Sequence, residues 1–235
     1  MDFMITAIQD WIAKLYKTFI STGYYELLIE GLGNTVLITL GALVIGVTIG
    51  MVIAIAKYLA EDVSVLKPLA WLCDGYVTIV RGIPIVVLLL IFYFIIMRSS
   101  TNGILVATIT FGINSGAYMA ELIRSGINAV DHGQMEAGRS LGLSKMQTMN
   151  KIILPQAVRY VLPAVGNEFI ALLKETSVAG YVAVVDLTRA GNLIRNNTHD
   201  AVNPLMVVAL TYLVLVIGLT TLLGKVEKHM AKEGR

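Results

Sequence analysis

Apolar residues run along this chain in five long blocks, at 33–57, 71–97, 103–124, 152–176 and 205–224. Each can cross about 30 Å of hydrocarbon at 1.5 Å per residue, and each is bounded by charge or turn residues. The pattern predicts an all-α membrane protein with about five transmembrane helices. Residues 31–224 form the membrane domain, 58–67 a short connection, and 177–204 a segment of mixed polarity that reads as a short re-entrant helix plus loop. Ahead of it, residues 1–30 form a separate segment. There Met4, Ile8, Trp11, Ile12, Leu15 and Phe19 recur at helical spacing, with Gln9, Asp10, Lys14 and Lys17 turned away. Two readings are open: a helix lying in the outer interface, or an extension packed on a neighbouring span.

The stretch QMEAGRSLGLSKMQTMNKIILP, residues 134–155, interrupts this apolar pattern and belongs to a polar loop at about 128–150. Ser144 with Gln147 three residues on fits a capping box, so a helix starts there and runs into the fourth span. Gly142 then sits where a preceding short helix, 134–141, needs a left-handed stop. The product is a helical hairpin that can lie along the membrane and offer Met135, Ala137, Leu141 and Leu143 to a partner.

Composition narrows the classes. Of 235 residues 56% are hydrophobic and 14% charged, against about a quarter charged in soluble domains. The net charge of +2 is dispersed, with no basic groove, so nucleic acid is not a partner. Cys73 stands alone, and His132, His199 and His229 are scattered, so no metal site is expected. The first residues lack the basic n-region and cleavage site of a signal peptide, and the spans are expected to direct insertion. Lys and Arg gather around the hairpin (Arg124, Arg139, Lys145, Lys151) and in the tail at 225–235 (Lys225, Lys228, Lys232, Arg235). The positive-inside rule places both in the cytoplasm, and counting back leaves the N-terminus outside.

Glu136-Ala137-Gly138, Gly142 after three intervening residues, and Leu154-Pro155 after Ile152 are spaced as in the EAA loop of ABC importer permeases, which they resemble; Gly138 stands where that pattern has a second alanine. The segments GNT (33–35), RGIP (81–84), YMAELIRSGI (118–127) and GNEFIALLKETS (166–177) are similar to the polar amino-acid branch of that family. The resemblance covers about residues 31–223. It implies a type I importer arrangement in a bacterial cytoplasmic membrane, with Glu136, Ala137, Gly138, Arg139, Leu141, Gly142 and Leu143 forming a coupling helix. It further implies as partners a cytoplasmic dimer of ATP-binding subunits, an extracytoplasmic solute-binding protein, and a second permease copy, identical or paralogous. ATP and magnesium belong to the partner, and this chain is not an enzyme: GLTTLLGKV, 218–226, has the wrong glycine spacing and lacks the Ser or Thr of a phosphate loop.

Charges within spans cost about 2.5–3.5 kcal/mol each and call for partners or a wet path. Asp74, Thr78 and Arg81 share one helical face, Asn114, Tyr118 and Glu121 a second, and Glu168, Glu175 and Thr176 a third. Arg81 and Asn114 are expected near the middle of the bilayer, where they and Glu168 can converge. A free amino acid carries both signs, so Arg81 is a candidate for its carboxylate and Glu168 for its ammonium or a cationic side chain. Asn114, Tyr118, Thr78, Thr176 and Ser177 complete the candidate pathway. The alternative at both charged positions is pairing that holds helices together, Arg81 with Asp74, Glu121 or Glu168; Glu121 with Arg124 reads as such a pair. Gly46 with Gly50, and Gly112 with Gly116, have the spacing of close helix contacts, within one subunit or between two.

These readings predict the transmembrane subunit of an ATP-driven importer that moves a polar, preferentially cationic amino acid into the cytoplasm by alternating access. An ion-coupled secondary transporter is the alternative, suggested by the buried charges, but it leaves the hairpin unexplained.

Overall fold

The computed structural model of the chain describes residues 2–233, and among them there is no strand. Helix α1 (Asp2–Leu15) continues through a wide turn at Tyr16–Ser21. It is followed by α2 (Tyr24–Asp62), α3 (Lys67–Gly82), α4 (Ile85–Ile91, extended by a wide turn at Phe92–Ile96) and α5 (Gly103–Asn128). Then come α6 (Gly133–Ser140), α7 (Lys145–Thr148), α8 (Leu154–Glu175), α9 (Leu187–Thr198) and α10 (Asn203–Glu233). Among the described residues, Tyr24–Ala60, Gly103–Asn128 and Asn203–Met230 are long and apolar enough to cross a membrane. The expected second span is not one straight helix. It breaks at Ile83-Pro84, where Ser64–Gly82 and Ile85–Ile96 meet at 107°, and the pair counts as a fourth candidate only when its two arms are taken as one broken span. Pro84 has no N–H to continue the ladder and forces Ile83 into extended backbone. Helix α8 has 22 residues, about 33 Å; Arg159, Asn167, Glu168, Lys174 and Glu175 make it less apolar than the others, and it packs against α5.

The α2–α5 crossing is the axis of the bundle, and glycines set its distance. A Cβ on Gly46 would meet Ser115 Oγ at 2.8 Å, and one on Gly50 would meet Met119 Cβ at 2.5 Å; Gly112 and Gly116 lie equally close to Ile45 and Ile49. The two glycine pairs expected to mark a close contact therefore both serve this one crossing within the subunit, each glycine receiving a side chain of the opposite helix. Around this axis Ile38, Leu89, Phe111 and Leu172 bring α2, α4, α5 and α8 into one core, and Val77, Val80, Leu88 and Ala117 bring α3 and α4 onto α5.

The 177–204 region docks on α2 through backbone capture. Asn34 Nδ2 donates to the Val185 carbonyl (2.9 Å), and the buried Thr35 hydroxyl accepts from Leu187 N–H (3.1 Å). Asp186, fully buried, caps α9 by accepting from the N–H groups of Thr188 and Arg189. Thr35→Val keeps the side-chain shape but leaves the Leu187 N–H unsatisfied. We expect it to cost about 1–3 kcal/mol and to speed hydrogen exchange across 185–191, with the hairpin region unchanged.

At the N-terminus, Trp11 Nε1 donates to Asn203 Oδ1 (2.7 Å) and Lys14 pairs with Asp200 (3.0 Å), so α1 is packed on the α9–α10 junction. Lys14, expected to face away, is one of its anchors. Burial alone would raise the Asp200 carboxyl, but hydrogen bonds from Asn203 and Lys14 outweigh it and hold the group well below its ordinary range. Ile12, Tyr16 and Ile20 stay exposed, while the Met4 and Ile8 side chains lie outside the described residues. Helix α10 continues through the expected tail to Glu233; the Lys232 side chain and Arg235 also lie outside them.

Candidate functional site

The hairpin is built from local signals. Ser144 Oγ accepts from Gln147 N–H (3.2 Å) and Gln147 Oε1 from Ser144 N–H (2.8 Å), which closes the predicted capping box. Gly142 has φ +84°, Leu143 N–H bonds the Gly138 carbonyl and Gly142 N–H that of Arg139: the left-handed helix stop in full. Arg139 Nη1 donates to the Leu143 carbonyl (2.9 Å) and fastens the turn. Gly138 is buried against Thr148, and a Cβ there would come within 2.8 Å of the Thr148 hydroxyl. Glycine at this place in the EAA pattern therefore lets α6 lie closer to the following helix than alanine would.

One side of the hairpin is bound to the bundle by Val130, Met149, Ile153 and Ala157, with Tyr58, Ile127 and Met135 packed against them. Met135, expected on the presented face, thus faces inward, because α6 needs an apolar anchor there. Leu143 is half-buried, whereas Glu136, Ala137, Arg139, Leu141 and Gly142 are exposed, Leu141 at 80%. Beyond Thr148 the helix widens at Met149–Ile153 before Pro155, which cannot donate to the turn behind it. The Gln156 side chain donates to the Ile152 carbonyl (2.9 Å) and reaches Gln134 of the hairpin (3.4 Å). These contacts tie α6 to the start of α8.

The polar residues inside the bundle form separate groups along α5. Arg81, one residue from the end of α3, pairs with Glu121 Oε2 (3.2 Å) and lies over the Tyr118 ring (4.9 Å), while Arg124 reaches Glu121 Oε1 (3.5 Å). Asp74 pairs with Lys57. Glu168, half-buried on α8, accepts from the Ser115 hydroxyl (2.9 Å), next to the buried Asn114. Ser115 precedes Glu121 by six residues, about 9 Å along the helix, so Arg81 and Glu168 are held at different levels. Thr176 is buried with its hydroxyl on the Leu173 carbonyl, Ser177 lies beside Thr188 and Tyr212 on another side of α8, and Thr78 is exposed on α3. Ser115, Lys57 and Tyr76, whose hydroxyl donates to the Ile113 carbonyl, were not among the sequence candidates. A buried serine beside Asn114 in a glycine-flanked span was the available signal for the first.

Residues 46–232 match the family described as the binding-protein-dependent transport system inner membrane component. The chain belongs to this family. It is 36% identical over 210 residues to the probable glutamine ABC transporter permease protein GlnM of Bacillus subtilis, covering 88% of this chain and 95% of that one. To the arginine transport system permease protein ArtQ of the same organism it is 34% identical over 206 residues, covering 86% and 92%. A crystal structure described as an amino acid ABC transporter with histidines superposes with a TM-score of 0.82 at 37% identity, over 89% of this chain and 96% of that one. The resemblance carried by residues 136–155 is borne out, and so is the all-helical type I importer fold. As a permease of this family the chain is a membrane component rather than an ATPase, and its family implies an ATP-binding subunit and a binding protein as partners.

Proposed function

We propose that this permease carries a polar amino acid, with preference for a cationic one, from a binding protein outside the membrane into the cytoplasm, driven by ATP that a partner subunit binds with magnesium and hydrolyses. The observation that carries this reading is the family match, together with a hairpin rigidly joined to α8 that presents Glu136, Ala137, Arg139, Leu141 and Gly142 outward. The hairpin end faces the cytoplasm, the N-terminus lies outside and the C-terminus inside, as the distribution of Lys and Arg requires. Two ATP-binding subunits dock on the hairpins of two permease copies, identical or paralogous, and their closing and opening swings α8 and the helices packed on it between two access states. A loop without the α6–Thr148 and Met149–Ala157 contacts could not transmit such a motion.

Glu168 is the substrate-facing carboxylate in this reading, because Ser115 engages one of its oxygens and it stands beside Asn114 near mid-span, where a cationic group would need a counter-charge. Arg81 serves first to hold α3 to α5 through Glu121 and Tyr118. The other candidates, Thr78, Thr176 and Ser177, flank this route. Uptake by the assembled complex tests it: Glu168→Gln should lower transport of arginine, lysine or histidine by about tenfold, the equivalent of one charge-assisted contact, with a smaller change for glutamine. Equal kinetics for cationic and neutral amino acids in wild type and variant would remove Glu168 from the route.

A further inference from the structure

Two cavities meet below the α2–α5 crossing at the hairpin end of the bundle. The larger, about 570 Å³, is a groove between α2, α5 and α8 walled by such residues as Met51, Ile55, Ile123, Val158 and Leu162, and it is almost wholly apolar. The smaller, about 250 Å³, lies between α2, α3 and α5 and is lined by Lys57, Arg124 and Asn128 above small alanine side chains. Ala54, Tyr58 and Ile127 border both, so the foot of the apolar groove adjoins the basic pocket.

Basic side chains gather at this corner. Lys57, Arg81 and Arg124 share the carboxylates of Asp74 and Glu121, and Lys145 lies over the Tyr58 ring at 5.0 Å. Arg124 engages Glu121 through Nη2 at 3.5 Å, a contact that uses few of the five N–H donors of a guanidinium. In the groove, Met51, Ile55 and Val158 remain more than half exposed. A membrane-embedded apolar groove that ends in a basic pocket is complementary to an amphiphile with an anionic head.

We propose that this composite cavity binds one anionic phospholipid, its phosphate between Lys57 and Arg124 and an acyl chain along the groove against Met51, Ile123 and Val158. The lipid fills the space left where the glycine-set crossing of α2 and α5 ends, and it braces the helix that carries the hairpin. The inference rests on the membrane-spanning fold and on neither the amino acid nor ATP, so its test stands apart from the transport reading.

The test is thermal melting and native mass spectrometry of the full-length chain in a neutral detergent, with added phosphatidylglycerol, phosphatidylcholine or sn-glycerol 3-phosphate. Phosphatidylglycerol should be retained and should raise Tm at concentrations where phosphatidylcholine does not, and glycerol phosphate alone should have no effect. Lys57→Gln and Arg124→Gln should each weaken retention by about fivefold. Ala54→Phe, which keeps both cations and obstructs the junction of the cavities, should weaken it as well. A photo-reactive residue, Val158→p-benzoylphenylalanine, should give a lipid adduct. Equal retention of the two lipids, an effect reproduced by glycerol phosphate, retention unchanged in all three variants, or a crosslink from position 158 to a second protein chain would each overturn the proposal.

Discussion

Replacing Gly142 by valine should abolish the response of ATP hydrolysis to loaded binding protein while leaving the bundle folded. Gly142 holds φ +84°, and a Cβ there would meet nothing within 4 Å. The penalty is therefore purely conformational, about 1–2 kcal/mol for an L-residue in this region and larger for a β-branched one. That is enough to break the helix stop that fixes the angle between α6 and the helix after Ser144. The exposed docking residues Glu136, Ala137 and Leu141 would then be misdirected, although none of them is changed. Because the turn lies outside the bundle core, Tm should move by little. Gly142→Asn, which tolerates the left-handed region, should keep most of the coupling, and this ordering separates the backbone argument from a simple loss of contact. Full stimulation in Gly142→Val would show that the hairpin geometry is not what the partner reads.

The largest loss of stability is expected from Gly50→Leu. A Cβ at this position would lie 2.5 Å from Met119 Cβ and 2.8 Å from the Ala120 backbone nitrogen, and backbone cannot yield as a flexible side chain does. The α2–α5 crossing must open, and with it the adjoining core of Ile53, Val77, Val80, Ala117 and Ala120. Overpacking of this kind costs about 3 kcal/mol or more, a fall in Tm of about 5–10 °C. Gly218→Ala is the control: Gly218 is exposed on α10 with nothing within 4 Å of its virtual Cβ, and the change should be neutral or slightly stabilising. Similar melting temperatures for the two variants would contradict close glycine packing as the basis of the crossing.

Where the determinants are local, the sequence was sufficient. The capping box, the left-handed stop at Gly142 and the helix between them depend on residues within one or two turns, and all of them form as predicted. The glycine pairs announced a close contact, but spacing alone could not say that both serve one crossing inside the chain, Gly46 and Gly50 against Ser115 and Met119, Gly112 and Gly116 against Ile45 and Ile49. Other features depend on distant partners. The block at 71–97 read as one span, whereas its 107° bend follows from α4 turning Leu88 and Leu89 into two separate cores. Met135 fitted an outward apolar stripe on periodicity, yet Val130 and Met149 on either side of the hairpin draw it inward. Docking of 185–187 depends on Asn34 and Thr35, about 150 residues away in sequence, a distance at which periodicity carries no information. Among the polar residues, the sequence left substrate contact and helix pairing both open for Arg81 and Glu168; in the bundle Arg81 takes Glu121 and Glu168 takes Ser115. Which partners they take follows from the bend, which ends α3 just beyond Arg81, within reach of Glu121 and well below Glu168.

In the proposed function this chain moves a polar amino acid inward on energy delivered at the hairpin. Its most direct test is uptake of labelled arginine, lysine, histidine and glutamine by proteoliposomes that contain the chain with its ATP-binding subunit and binding protein, with proton and sodium gradients collapsed by ionophores. Accumulation should require ATP on the hairpin side, persist without either gradient, favour a cationic amino acid and be lost in Gly142→Val. Accumulation that follows an imposed ion gradient in the absence of ATP would contradict it.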